Sequence, residues 1–133
     1  MAADPRHYTL DISEHLFRLT TEGLRLHSNA TLRYQTLEDL IDARASAVSK
    51  IGNHDISTLR EHFSVIPTKG NIRINLSMSL DRANSLDAVA TTIGKQLNAD
   101  LTAGDALSVL LFDYVAEQKA AHIMAIGGFD KIL

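Results

Sequence analysis

Ile72-Arg73-Ile74-Asn75-Leu76-Ser77-Met78 alternates apolar and polar residues without a break. A period of two sends positions 72, 74, 76 and 78 to one side of an extended chain and Arg73, Asn75 and Ser77 to the other, which predicts a strand with one buried and one solvent-facing edge. Near the N-terminus His7-Tyr8-Thr9-Leu10-Asp11-Ile12 alternates in the same way. A strand by itself leaves its N–H and C=O groups without partners, so each of these strings needs another strand, and the chain supplies two.

Each string runs into helical patterns. Ser13 to Leu32 carries Leu16, Leu19, Gly23, Leu26 and Ala30 at steps of three and four, the stripe of an amphipathic helix with a weak point at Gly23. Thr36-Leu37-Glu38-Asp39 opens a second helix, with Thr36 placed to accept from first-turn N–H groups and two acids at the positive end of the dipole. Leu37, Leu40, Ile41, Ala45 and Val48 follow on one face, and Gly52-Asn53 ends the segment. Asp55 to Phe63 is short and helix-compatible, and Ile66 to Asn71 is turn chemistry that delivers an extended chain into the second string. Beyond that string Leu80, Ala83, Leu86, Ala90, Ile93 and Leu97 share a face, and Asn98-Ala99-Asp100 breaks it. Thr102-Ala103-Gly104-Asp105 repeats the cap ahead of Leu107, Leu110, Leu111, Tyr114 and Val115; Gly127-Gly128 stops that helix.

A constant offset of 66 pairs Tyr8 with Ile74, Leu10 with Leu76, Ile12 with Met78, Ser13 with Ser79, Thr36 with Thr102 and Asp39 with Asp105. The spacing from strand to second cap is therefore the same in both halves, the signature of an internal duplication. The expected fold is mainly α with a two-stranded antiparallel ribbon, β-α-α written twice. Residues 7–52 form the first unit, 53–71 a connecting segment, 72–126 the second unit and 127–133 a tail, all within one domain, 1–133.

At 133 residues with 45% hydrophobic and 22% charged residues, the chain has an ordinary globular balance and enough length to bury a core. It holds no cysteine, which excludes disulfides, thiol catalysis and cysteine-ligated zinc. Its first residues carry no apolar run of signal-peptide type and no stretch approaches a membrane span, so a soluble, cytoplasmic protein is expected. Net charge is −3, from 13 Lys and Arg against 16 Asp and Glu. That sum opposes nucleic-acid binding mildly, but the distribution favours it: Arg6, His7, Lys69 and Arg73 flank the strings, while many acids lie in helical segments.

The second half, Ile72 to Gln118, resembles the ribbon-helix-helix DNA-binding family: Arg73-Ile74-Asn75-Leu76-Ser77 is similar to the ribbon, and Thr102-x-x-Asp105-Ala-Leu to the start of the second helix. The resemblance implies a ribbon in the major groove whose outward side chains read base edges, and a backbone phosphate held at the second helix's N-terminus. It assigns base reading to Arg73, Asn75 and Ser77 on one strand and to His7, Thr9 and Asp11 on the other, and phosphate binding to Thr36, Thr102, Lys69 and Arg6. Arg73 suits guanine and Asn75 suits adenine, whereas the carboxylate of Asp11 repels phosphate and is useful only as an acceptor from cytosine. The implied partner is double-stranded DNA, bound by a monomeric pseudo-dimer or a homodimer that assembles further on DNA. The implied role is that of a transcriptional repressor or a plasmid or mobile-element accessory factor.

The rival expectation is a regulatory module that uses the same architecture to bind a protein, an anti-activator without DNA binding; Asp11 and the net charge favour it. No enzyme is expected and no cofactor or metal: the six histidines show no ligand spacing, His54, Asp55 and Ser57 form no recognisable triad, and Gly127-Gly128 lacks a phosphate loop's setting.

Overall fold

The two alternating strings are strands, and each is the other's partner. In a computed structural model, which describes residues 6–45 and 56–127, β1 (Arg6–Ile12) pairs antiparallel with β2 (Ile72–Met78). The register sets Tyr8 opposite Leu76, Thr9 opposite Asn75, Leu10 opposite Ile74 and Asp11 opposite Arg73. Tyr8, Ile12, Leu76 and Met78 are buried and Leu10, Ile72 and Ile74 half-buried, so one face of the ribbon is the roof of the core.

The approach to β2 crosses the end of β1 closely. Ser13 donates its N–H to the Thr68 carbonyl at 3.0 Å and its hydroxyl to that of Pro67, and Gly70 donates its N–H to the Asp11 carbonyl at 3.2 Å. A Cβ at Gly70 would lie 2.5 Å from both the Ile12 oxygen and the Ser13 Cα, so glycine is required here by backbone on two sides.

Five helices complete the described residues: α1 (Glu14–Thr31), α2 (Leu37–Ala45), α3 (Ile56–Val65), α4 (Leu80–Leu97) and α5 (Ala103–Gly127). Serines cap the two that follow strands: Ser13 Oγ accepts from the Leu16 N–H at 3.0 Å, and Ser79 Oγ from the Arg82 N–H at 3.4 Å. Both helices stop on a left-handed residue, Leu32 at φ 57° and Asn98 at φ 54°. Asparagine tolerates that conformation; leucine does not, and Leu32 is 90% exposed with no packing in return.

At the centre lies α5, packed against α1, α2 and α4. Ala106, Leu107, Val109, Leu110 and Leu111 are buried in succession, so the first turns of α5 are enclosed on every side by other elements. Each fully buried Leu or Ile removes enough apolar surface from water to contribute roughly 1.5–3 kcal/mol. Gly23, the weak point of α1, lies where α2 and α5 close on it: a Cβ there would meet Leu40 Cδ2 at 3.0 Å and Leu111 Cδ2 at 3.2 Å. Beside this crossing Arg44 of α2 holds Asp113 and Glu117 of α5 at 2.6 and 2.9 Å, its guanidinium 5.4 Å from the centre of the Tyr114 ring. Arg44 and Asp113 are only 13% and 17% exposed, so this pair is held largely out of water.

The expected tandem of β-α-α units is not the layout adopted. One strand precedes three helices, a second strand follows, and two helices close the described chain, with a single two-stranded sheet. The departure arises at residues 56–65, expected to be part of a connecting segment. Instead α3 buries Leu59 and His62, packs on α4 and sends His62 Nε2 to within 2.8 Å of Ser108 Oγ in α5, between the rings of Phe63 and Phe112. The expected stop at Gly52-Asn53, the first part of the connecting segment and the tail at 128–133 lie outside the described residues. Among the described residues no helix is long and apolar enough to cross a membrane.

Two substitutions test this account of the backbone. Gly70→Ala forces a methyl group into backbone on two sides and is expected to lower unfolding free energy by about 1–3 kcal/mol in urea titration. Leu32→Asn relieves a left-handed leucine and is expected to raise it by about 0.5–1 kcal/mol.

Candidate functional site

Alternation along the two strands leaves one row of the ribbon for solvent. His7, Thr9 and Asp11 of β1 and Arg73, Asn75 and Ser77 of β2 are all exposed, and together they form three cross-strand pairs. The six residues predicted to read bases are thus brought onto a single face about three residues long and two strands wide.

Two of the pairs are bonded across the ribbon. Arg73 donates Nε–H to Asp11 Oδ1 at 2.9 Å and Nη2–H to Asp11 Oδ2 at 3.3 Å, a two-bond pairing that follows from their standing directly opposite each other. Thr9 donates its hydroxyl to Asn75 Oδ1 at 3.1 Å. The ion pair keeps its water, the side chains being 67% and 50% exposed, so it contributes orientation more than stability. The hydrogen bonds from Arg73, and then its charge, hold the Asp11 carboxyl below the usual carboxylate range, while Asp11 raises the arginine.

Helix starts flank the ribbon at both ends, and their chemistry differs. Near Asp11 the start of α5 comes close: Thr9, Asp11, Lys69, Gly70, Thr102 and Gly104 line a shallow cleft, and Thr68 Cγ2 would be 3.1 Å from a Cβ at Gly104. Lys69 is exposed there, beside Ile12. Near Ser77 the start of α2 comes close instead, and Glu38 Oε2 accepts the Ser77 N–H at 3.3 Å. An outward backbone N–H at a ribbon's end is a natural phosphate donor, and here a carboxylate already occupies it.

Both predicted phosphate threonines sit in reciprocal capping boxes. Thr36 Oγ1 accepts the Asp39 N–H at 3.1 Å while Asp39 accepts the Thr36 N–H at 3.1 Å; Thr102 and Asp105 do the same at 3.1 and 3.0 Å. The bonds from Thr36, backbone first, hold the Asp39 carboxyl below its ordinary value. These hydroxyls are therefore committed to the helix, and any anion at these ends would meet the remaining first-turn N–H groups. Arg6 is engaged elsewhere: it ion-pairs with Asp87 of α4 and lies 5.0 Å over the Tyr8 ring, with the Tyr8 hydroxyl 3.2 Å from Asp87. Burial, and secondarily the Asp87 charge, raise the Tyr8 pKa, so this phenol stays protonated.

Glu38 and Asp87 were not singled out from the sequence. Glu38 is visible there only as a first-turn acid, and nothing in the periodicity says that it reaches a strand. A scan against protein-family models and searches of curated proteins and of solved structures find no match to this chain.

The Asp11–Arg73 pair has a measurable sign. A carboxyl whose folded pKa lies below its ordinary 3.8 contributes to stability above that value and loses the contribution as pH falls through the folded one. An NMR titration of the Asp11 carboxyl is expected to show a midpoint below 3.8 in the parent protein and a return to about that value in Arg73→Ala.

Proposed function

We propose that this protein binds double-stranded DNA by laying the outward face of its ribbon in the major groove, as a repressor or a plasmid or mobile-element accessory factor. The observation that carries the reading is the division of the ribbon into two rows. One row roofs the core, and the other presents six polar side chains that no described element covers. A major groove about 12 Å wide admits a two-stranded ribbon, and arginine and asparagine are the side chains that match guanine and adenine edges in pairs of bonds.

One chain supplies both strands, so a single molecule carries a complete reading face. Its two strands differ in sequence, which suits a target without palindromic symmetry. Lys69 and the first-turn N–H groups of α5 give one end a place for a phosphate oxygen. DNA as ligand also fits the expected cytoplasmic location. The resemblance of 72–118 to ribbon-helix-helix proteins supports the same mode of contact.

Binding of a protein partner through the same face is the second reading, and a specific observation favours it. Asp11 neutralises Arg73, and Glu38 puts a carboxylate over the Ser77 amide, so the ribbon attracts phosphate weakly for its size. In that reading the polar row is a docking surface of an anti-activator type of regulator.

Selection of bound duplexes from a random pool at about 0.1 M salt distinguishes the two, because that ionic strength suppresses weak charge-only binding. The expected outcome is an enriched sequence for which Arg73→Ala loses about tenfold or more in affinity, at an unchanged thermal midpoint. A pool that yields no enriched sequence would overturn DNA binding in favour of the protein partner.

A further inference from the structure

We infer that the two strands of the ribbon divide the labour: β2 reads bases through Arg73 and Asn75, and β1 positions those readers through Asp11 and Thr9. The inference rests on the DNA-binding reading above and deepens it, since it names which of the six outward residues set specificity and how.

A guanidinium has five N–H donors, arranged as a side edge, Nε with Nη2, and an end edge, Nη1 with Nη2. Asp11 takes the side edge through both of its bonds. What remains is the end edge, a pair of parallel donors spaced for O6 and N7 of guanine. An exposed arginine otherwise spreads over many rotamers, and ordering it on contact costs binding free energy; a cross-strand carboxylate removes much of that cost in advance. The acid that opposes phosphate is thus the group that aims the arginine.

Thr9 treats Asn75 in the same way. By donating to Oδ1 it fixes which side of the carboxamide is oxygen and which is nitrogen, leaving a second lone pair on Oδ1 and the Nδ2 donors for the N6 and N7 edge of adenine. Both bonds join residues that stand directly opposite in the register, Asp11 with Arg73 and Thr9 with Asn75. Readers two positions apart on a strand are about 6.7 Å apart, close to two base-pair steps. The target therefore carries a guanine and an adenine within a few base pairs, one for each buttressed side chain.

The assignment is tested on duplexes selected by the parent protein, each of the two base pairs then being replaced in turn. Asp11→Asn is expected to bind random duplex more tightly, having lost a negative charge, while its discrimination at the guanine position falls about tenfold and that at the adenine position holds. Asp11→Glu, which keeps the carboxylate, is expected to recover part of the guanine discrimination. Thr9→Val is expected to do the reverse, losing discrimination at adenine alone. Unchanged discrimination in Asp11→Asn would mean that the carboxylate is only a charge, and altered preference at a third base pair would mean that Asp11 reads a base itself; either overturns the division. If the parent selects no sequence, it is the DNA-binding reading that falls. Thermal unfolding of each variant separates a change of specificity from a change of fold.

Discussion

Everything in this molecule depends on one pairing, that of β1 with β2. Neither strand has another neighbour, so their inward-running N–H and C=O groups are satisfied by each other or not at all among the described residues. The pairing joins residues 60 to 72 positions apart, and three described helices are folded into the interval. Gly70, the Ser13 bonds to Pro67 and Thr68, and the burial of α3 are the means by which the returning chain is brought alongside β1. The same pairing creates the outward face, because antiparallel register decides which polar residue stands opposite which.

Part of this is legible in the amino-acid order. Strict alternation at 72–78 and 7–12 identifies both strands and their buried rows, since period two has few competing explanations. The Thr-x-x-Asp boxes at Thr36 and Thr102 are legible for the same reason: a cap is a local arrangement, complete within four residues. The six outward residues could be assigned to one row, because parity along a strand requires no knowledge of its partner.

What the sequence conceals is what depends on distant residues. Alternation shows that Asp11 and Arg73 both face outward; only the register shows that they meet, and that meeting turns a carboxylate unwelcome near DNA into the arginine's partner. The stretch at 56–65 reads as a short helical connector, and its place in the core rests on His62 finding Ser108 across 46 residues. Gly23 looks like a defect in α1 until Leu40 and Leu111 arrive beside it. Leu32 gives no signal at all, since leucine is a poor residue for a left-handed stop and the chain uses it regardless. The strict β-α-α repeat rests on the matching caps, which recur at Ser13 and Ser79 and at Thr36 and Thr102, but matched caps do not dictate what lies beyond the segments they open, and there α3 intervenes before β2.

Because residues 13–71 lie between the two strands, the ribbon is also a timing device. During synthesis β1 has no partner until residue 78 has left the ribosome, and its apolar row must find cover without a sheet in the meantime. Closing so large a loop costs conformational entropy that local helix formation does not, so helices are expected to gather first and the ribbon to close on them afterwards. The outward row of six polar side chains then forms late, and a chain cut short before β2 cannot form it at all.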